Sequence, residues 1–416
     1  WMMYDWANSA HSVIVVTILP IFFDTVAGYT ADSVSSMSTW GFATSLAMAI
    51  VALSAPFLGV FGDIRGMRKK LFLVFLLLGI ASVGGLAFTP FMDFTASPEA
   101  AGRVAAMVLV LYITSTIGFD ASCIYYDAFL TDVTTEERMD SVSTLGYGLG
   151  YIGGSTIPLL IFLIMNAVGV PMLTCLGFIF GLTAVWWLVF SLPLLKNCEQ
   201  TTGKPYKKGA VGAGIKSVFT TLKEIGADKP MLVYIVAYFF YIDGVYTIID
   251  MATAYGTALG LDSTGLLLAL LVTQVVAFPS SLAFGRLSRK LRPESIIGIC
   301  IVAYLGIAIF AFWLDNLLKF WILAALVGLF QGTIQAFSRS YYTKIIPPEQ
   351  SGEYFGLYDI CGKGAAFMGT MLVAGVSQLT DSTNAGVGSL SVMFLLGLLC
   401  FRAAVKARRA YLAEQQ

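Results

Sequence analysis

The sequence is short of charge. Only 12% of its 416 residues are Asp, Glu, Lys or Arg, with acids and bases balanced at 25 each, whereas a water-soluble domain carries about 25% charged residues. Together with 57% hydrophobic residues and a mean hydropathy of +0.81, this excludes an ordinary soluble protein and points to an all-α polytopic membrane protein embedded in a lipid bilayer. The zero net charge gives no electrostatic basis for a nucleic-acid partner. Histidine is almost missing: His11 is the single one, and a hydrogen-bonded core residue is expected there ahead of a proton relay. The six cysteines contain no C-x-x-C pair, so no redox or metal site is expected; Cys123, Cys175, Cys300, Cys361 and Cys400 sit in apolar runs and read as small packing residues, while Cys198 sits in a loop. No G-x-x-x-x-G-K-[ST] loop occurs, which leaves ATP-driven chemistry unsupported and no cofactor expected. The chain opens at Trp1, almost directly in an apolar run, so no cleaved leader is visible and a few preceding residues are expected.

What is present is apolar length, organised around the turn Gly59-Val-Phe-Gly-Asp-Ile-Arg-Gly-Met-Arg-Lys-Lys70. Met37 to Gly62 before it and Leu71 to Met92 after it carry no charge, and each is long enough to cross a hydrocarbon core of about 30 Å. Arg65, Arg68, Lys69 and Lys70 place the turn on the cytoplasmic side, because Lys and Arg beside a span resist translocation. Counting apolar runs gives twelve spans, at 3–28, 37–62, 70–93, 102–130, 142–168, 170–194, 230–258, 263–287, 295–315, 317–345, 353–379 and 388–405. Both termini are then cytoplasmic. Inside loops and flanks hold 22 of the 25 Lys and Arg, with Arg103 and Lys319 outside and Lys363 within a span.

The longest polar segment, Lys196 to Lys229, holds seven lysines and separates a six-span half at 1–195 from a second at 230–416. Within it, Ile215, Val218, Phe219 and Leu222 share one helical face, so a surface-lying amphipathic helix is expected. A shift of 216 residues superposes Tyr125-Tyr126 on Tyr341-Tyr342, Glu137 on Glu353, Gly146 on Gly362 and Gly153 on Gly369, as two parallel repeats require. The loop Gly285-Arg-Leu-Ser-Arg-Lys-Leu-Arg292 repeats the place and charge of the first turn but has no acid matching Asp63.

A charge at bilayer depth costs about 2.5–3.5 kcal/mol even on a lenient scale, so each needs a partner or a task. Asp243, Lys363 and Asp120 come out near the midplane; His11 and Gln331 lie at similar depth; Asp5, Asp127, Arg339 and Asp359 lie nearer the cytoplasmic mouth. For Asp243 and Lys363 a purely structural ion pair competes with a substrate role. Glycines at 146, 148, 150, 153 and 154 allow close helix approach.

The spacing filled by Gly59, Asp63, Gly66, Arg68 and Lys69 resembles the G-x-x-x-D-x-x-G-x-R-K signature of the major facilitator superfamily. That resemblance implies a fold of twelve helices in two six-helix pseudo-repeats. It also implies a cavity lined by spans one, four, seven and ten, with spans two, five, eight and eleven between the halves, and a gating role for the five signature residues, with Asp63 near the start of span eleven. Span five lacks the Gly-Pro pair of the superfamily's antiporters. Tyr4-Asp5-Trp6-Ala7-Asn8-Ser9-Ala10, Gly150-Tyr151-Ile152-Gly153-Gly154, Phe239-Phe240-Tyr241-Ile242-Asp243-Gly244-Val245 and Gln335-Ala336-Phe337-Ser338-Arg339-Ser340 further resemble the vacuole-effluxer-like branch, which includes autophagy-related vacuolar amino-acid effluxers and bacterial relatives. This implies a non-enzymatic secondary transporter for amino acids or similar polar metabolites. The expected substrate contacts are Lys363 for the anionic group, Asp243 for the amine, and Asn8, Gln331 and Tyr241 as neutral partners. Asp120 and Asp127, with Asp5 behind them, are the proton-coupling candidates. The short loops resemble those of the bacterial members and imply a bacterial inner membrane, and a monomer is expected. Two alternatives are a non-transporting nutrient sensor, which usually adds a soluble domain, and an intramembrane aspartyl protease, whose G-x-G-D motif is absent.

Overall fold

The computed structural model describes residues 1–30, 33–205 and 210–414; the side chains at 16, 33–38, 210–215, 217, 253, 254, 257, 263, 264, 363–367, 412 and 414 lie outside that description. In chain order the helices of the first half are α1 (Met3–Thr17), α2 (Leu19–Ala27), α3 (Ser33–Gly62), α4 (Arg68–Leu86), α5 (Pro98–Ala128), α6 (Leu130–Val133), α7 (Glu136–Leu149), α8 (Thr156–Ala167) and α9 (Met172–Asn197). After a connecting helix, α10 (Ala210–Ala227), come α11 (Lys229–Ala258), α12 (Ser263–Leu287), α13 (Pro293–Ala311), α14 (Leu317–Ile345), α15 (Ser351–Thr380), α16 (Thr383–Gly388) and α17 (Leu390–Glu414). Eleven helical stretches among the described residues are long and apolar enough to cross a membrane. The 30-residue α15 packs among them, against α3 and α11.

Local chemistry sets the helix limits at the end opposite the 63–70 turn. Ser97 caps α5 through Ala100 N, Asp262 caps α12 through Gly265 N, and Asn316 caps α14 through Lys319 N, each satisfying a backbone donor that the helix start leaves unpaired. Asp381 closes α15 in a left-handed conformation, φ 49°. The first span is broken at Ile18, with Pro20 in the first turn of α2. The fifth is α7 and α8 joined by a π-turn over Gly150–Ser155, a local widening common at functional sites. Three expected limits move by six residues or more: the third span's helix ends at Leu86 rather than 93, the fifth span starts at Glu136 rather than 142, and the last runs on to Glu414 rather than 405.

Each half has its own core. Phe22, Phe23, Phe180 and Tyr112 anchor the first, while Tyr234, Tyr241, Tyr304, Phe394 and Phe401 anchor the second. The connecting helix α10 splits its expected apolar face: Val218, Thr221 and Ile225 are buried, Phe219 and Leu222 are exposed, and the Ile215 side chain lies outside the described residues. Val218, Thr221 and Ile225 fall on one stripe at i, i+3 and i+7, by which α10 docks on the protein, while Phe219 and Leu222 of the expected apolar face point away from it.

The halves meet through glycine at the end bearing the 63–70 turn, the basic end. A Cβ built on Gly59 of α3 would lie 2.0 Å from the Gly352 carbonyl of α15, and one on Gly356 would lie 2.3 Å from the Ala55 carbonyl. Gly148 of α7 lies against Ser281 and Phe278 of α12, and Gly285 of α12 against Thr144 of α7. Backbones this close have no room for side chains.

Candidate gate and binding sites

At the basic end, the Asp63 carboxyl sits at the start of α15. It accepts hydrogen bonds from Gly352 N at 2.7 Å and Glu353 N at 2.8 Å, so a side chain of one half caps a helix of the other. Arg68, fully buried, donates to Asp63 (3.1 Å), to Ser351 Oγ (2.8 Å), to the Ala128 carbonyl (3.0 Å) and to Asp132. Burial pushes the Asp63 carboxyl up to about 7, while Arg68 and the Glu353 and Gly352 amides pull it down and the Glu353 charge raises it. The strand of chain after α9 straps the turn in place. Lys204 N donates to the Asp63 carbonyl at 2.7 Å, Gln200 accepts from Gly66 N at 2.9 Å, and Asp132 accepts from the amides and hydroxyls of Thr201 and Thr202. Gly66 has φ +78°, a conformation glycine adopts without strain. Lys69, half-buried, is the second residue of α4.

Closer to the membrane centre, Arg339 of α14 reaches into the first half. Its Nη1 donates to Asp127 at 3.0 Å, Nη2 to Asp5 at 3.4 Å and to the Ser143 carbonyl at 3.2 Å, and Nε to Ser143 Oγ at 3.0 Å. The guanidinium carbon lies 4.7 Å from the Trp1 ring, 5.3 Å from Tyr126 and 4.3 Å from Tyr147. Next to it, Asp140 of α7 binds Lys344 at 2.8 Å and Ser340 at 2.6 Å, and Gln335 donates to Tyr151 at 3.2 Å. These polar contacts between the halves run from the basic end up to the π-turn.

The midplane residues are less concentrated. Asp243 is fully buried and accepts from Gly369 N at 3.1 Å and from Thr247 Oγ1 at 3.3 Å; its other oxygen has no hydrogen-bond partner among the described residues. The Lys363 side chain lies outside the described residues, although its backbone stands in α15, the helix that Asp243 faces. Tyr241 turns away from the interface into the second-half core, bonded to Ser338 Oγ at 2.6 Å. Gln331 is buried with an unpartnered amide oxygen among the described residues, and Asn8 donates to Cys123 Sγ at 3.8 Å. Asp120 is buried on α5, about two helical turns from Asp127. His11 stacks on Phe119 at 4.8 Å and Trp187 at 5.0 Å; neither ring nitrogen has a hydrogen-bond partner among the described residues. The expected hydrogen-bonded histidine is instead an aromatic packing residue.

Three comparisons place the chain. Residues 29–414 match the family described as vacuole effluxer Atg22 like. The chain belongs to this family. An uncharacterized MFS-type transporter, YxiO of Bacillus subtilis (strain 168), is 38% identical, with 100% of this chain aligned to 96% of that one. Autophagy-related protein 22 of Coccidioides immitis (strain RS) is 24% identical over 64% of this chain and 48% of its own length. Among solved structures, the proton:xylose symporter XylE matches with a TM-score of 0.71 at 16% identity, over 96% of this chain and 92% of that one. FucP in the outward conformation matches at 0.71 and 12%, over 97% of both. The family-level motifs were legible in sequence, but the Arg339 cluster was not assembled from it. Arg339, Asp5 and Asp127 were each visible as charges near one mouth. The signal that they belong together was the arginine itself, since a guanidinium at that depth needs a carboxylate and the second half offers few there.

Proposed function

We propose that this Atg22-like transporter moves a small polar metabolite, an amino acid or a similar zwitterion, by alternating access, and that its basic end is the cytoplasmic one, closed in this structure. The observation that carries the reading is the Asp63 cap on α15. It joins the two halves through hydrogen bonds to backbone amides, which rocking of one half against the other breaks and remakes without opening either core. The distribution of 22 of 25 cations supports the cytoplasmic assignment, and the full-length bacterial relative supports a bacterial inner membrane.

In this reading the substrate lies near the midplane between the halves, with Lys363 facing its anionic group and Asp243 its amine. Asn8 and Gln331 add neutral hydrogen bonds, which give selectivity without another desolvated charge. Tyr241 holds α11 to α14 through Ser338 and supports the site from behind. Opening the basic end withdraws Arg339 from Asp5 and Asp127, and a proton replaces its charge there; Asp120 stands deeper on the same path. The test is a thermal-shift screen of amino acids, peptides and organic acids on purified protein, followed by flux of the hits into proteoliposomes. Saturable stabilisation and uptake by amino acids are expected, and hits confined to apolar or polyanionic compounds would overturn the substrate class.

A further inference from the structure

The surroundings of Arg339 are built as a receptor. Every wall residue belongs to the first half: Trp1, Asp5, Tyr126, Asp127, Ser143 and Tyr147, on α1, α5 and α7 or just before them, while the guest comes from α14 in the second. Three of the walls are also tied to one another without the guest. Tyr126 Oη donates to Asp5 at 2.6 Å, Trp1 Nε1 donates to the Tyr126 carbonyl at 2.7 Å, and the Trp1 and Tyr126 rings stack at 4.3 Å. Gly146 leaves the Asp5 carboxylate its place, since a Cβ there would lie 2.4 Å from Asp5 Oδ2. The Trp1, Asp5 and Tyr126 walls therefore hold one another without the arginine, while Ser143 Oγ also donates to the Ala336 carbonyl of α14 at 2.9 Å.

We propose that Asp5, Asp127, Ser143 and the rings of Trp1, Tyr126 and Tyr147 form a guanidinium-binding site, filled by Arg339 when the basic end is closed and open to a small guanidinium compound from that side when it is not. The emptying step rests on the alternating-access reading; the binding chemistry does not. Two carboxylates and the Ser143 carbonyl and hydroxyl accept N–H bonds from different edges of one planar fork, and three aromatic faces surround it. A guanidinium satisfies this set better than an ammonium, which lacks the plane and the fork. Arg339 is then a tethered competitor. A free guanidinium compound binds only the state from which Arg339 has withdrawn, and so shifts the population toward the open basic end.

The experiment is chemical rescue. Purified Arg339→Ala is titrated with methylguanidinium, with methylammonium as the comparison cation, and unfolding is followed by heating. At about ten times its dissociation constant the ligand multiplies the folded-to-unfolded ratio about 11-fold. A saturable upward shift is expected with methylguanidinium, a smaller one with methylammonium, and none in Arg339→Ala combined with Asp127→Asn. Arg339→Gln serves if the alanine variant does not fold. A second arm uses the otherwise wild-type chain spin-labelled at Glu136 and Glu349, where methylguanidinium is expected to widen the distance across the basic end. Equal shifts in the single and double variants, or no saturation in either, would overturn the site. Saturable rescue with a label distance that no ligand changes would leave the site standing and count against alternating access.

Discussion

The carboxyl of Asp63 lies 2.7 Å from Gly352 N and 2.8 Å from Glu353 N, so the residue just past the end of α3 becomes the N-terminal cap of α15 in the opposite half. Removing a cap costs about 0.5–2 kcal/mol, or roughly a 2- to 30-fold change in a two-state ratio. Asp63→Ala is expected to shift the population toward the open basic end by that factor and to slow transport, with folding retained. Distance spectroscopy between labels at Glu136 and Glu349 measures it; unchanged distances with normal flux would remove Asp63 from the gate.

The same carboxyl sets a pH dependence. With the gate closed, burial holds Asp63 at about 7, above its ordinary 3.8, whereas with the gate open it meets water. A group whose value is higher in the closed state takes up a proton on closing. Closure is therefore favoured as pH falls through about 7 and weakened as pH rises through it. Arg68, Glu353, Asp132 and Lys204 surround the group, so the response of the labelled distance between pH 6 and 8 belongs to Asp63 only if Asp63→Ala flattens it.

Gly59 sits where no side chain fits, 2.0 Å from the Gly352 carbonyl for its missing Cβ. The obstruction is backbone and cannot rotate away. Gly59→Val is expected to prevent closure at the basic end while leaving both cores intact. A cysteine at Ser351, buried here, should then become reactive to a soluble maleimide added from the basic side; continued protection would show that α3 and α15 part without cost.

The spans were legible because hydrocarbon thickness acts on composition directly. Span 263–287 and span 317–345 match α12 and α14 residue for residue. Side-chain direction was not legible. Tyr241 stands two residues from Asp243, yet it turns into the core while Asp243 turns to Gly369; depth along a helix says nothing about azimuth when apolar residues surround it. On α10 periodicity groups Val218, Phe219 and Leu222, but which of them packs on the protein is set by the neighbouring helices: Val218 is buried, while Phe219 and Leu222 are exposed.

Orientation is tested by two positions at opposite ends. Lys223 on α10 and Asp315 between α13 and α14 are both exposed. The Asp315–Lys319 pair at 2.7 Å is a surface contact of the kind that contributes little. In a background lacking the native cysteines, an impermeant reagent on intact cells is expected to label Asp315→Cys and spare Lys223→Cys. The reverse pattern would invert the molecule and place the Asp63 cap on the outside.

The substrate site itself is tested by comparing Lys363→Ala with Asp127→Asn. Lys363 is proposed to meet the anionic end of the substrate. A hydrogen bond to a charged group contributes about 1.5–3 kcal/mol, so its removal should weaken binding roughly 10- to 150-fold and abolish substrate-induced thermal stabilisation at ordinary ligand concentrations. Asp127 meets Arg339 rather than the midplane, so Asp127→Asn should leave binding and exchange within a few fold. It should nonetheless remove the response of uptake to an imposed pH gradient, because Asp127 is the carboxylate proposed to trade Arg339 for a proton. Asp243→Asn supplies the control: its bonded oxygen still accepts from Gly369 N, so helix packing persists while the negative charge proposed to face the substrate's amine is lost. Weakened binding in Lys363→Ala and Asp243→Asn, with coupling intact, locates the substrate between α11 and α15. Full affinity in both would make the buried Asp243 a packing residue and move the substrate site to the Asn8 and Gln331 side of the interface.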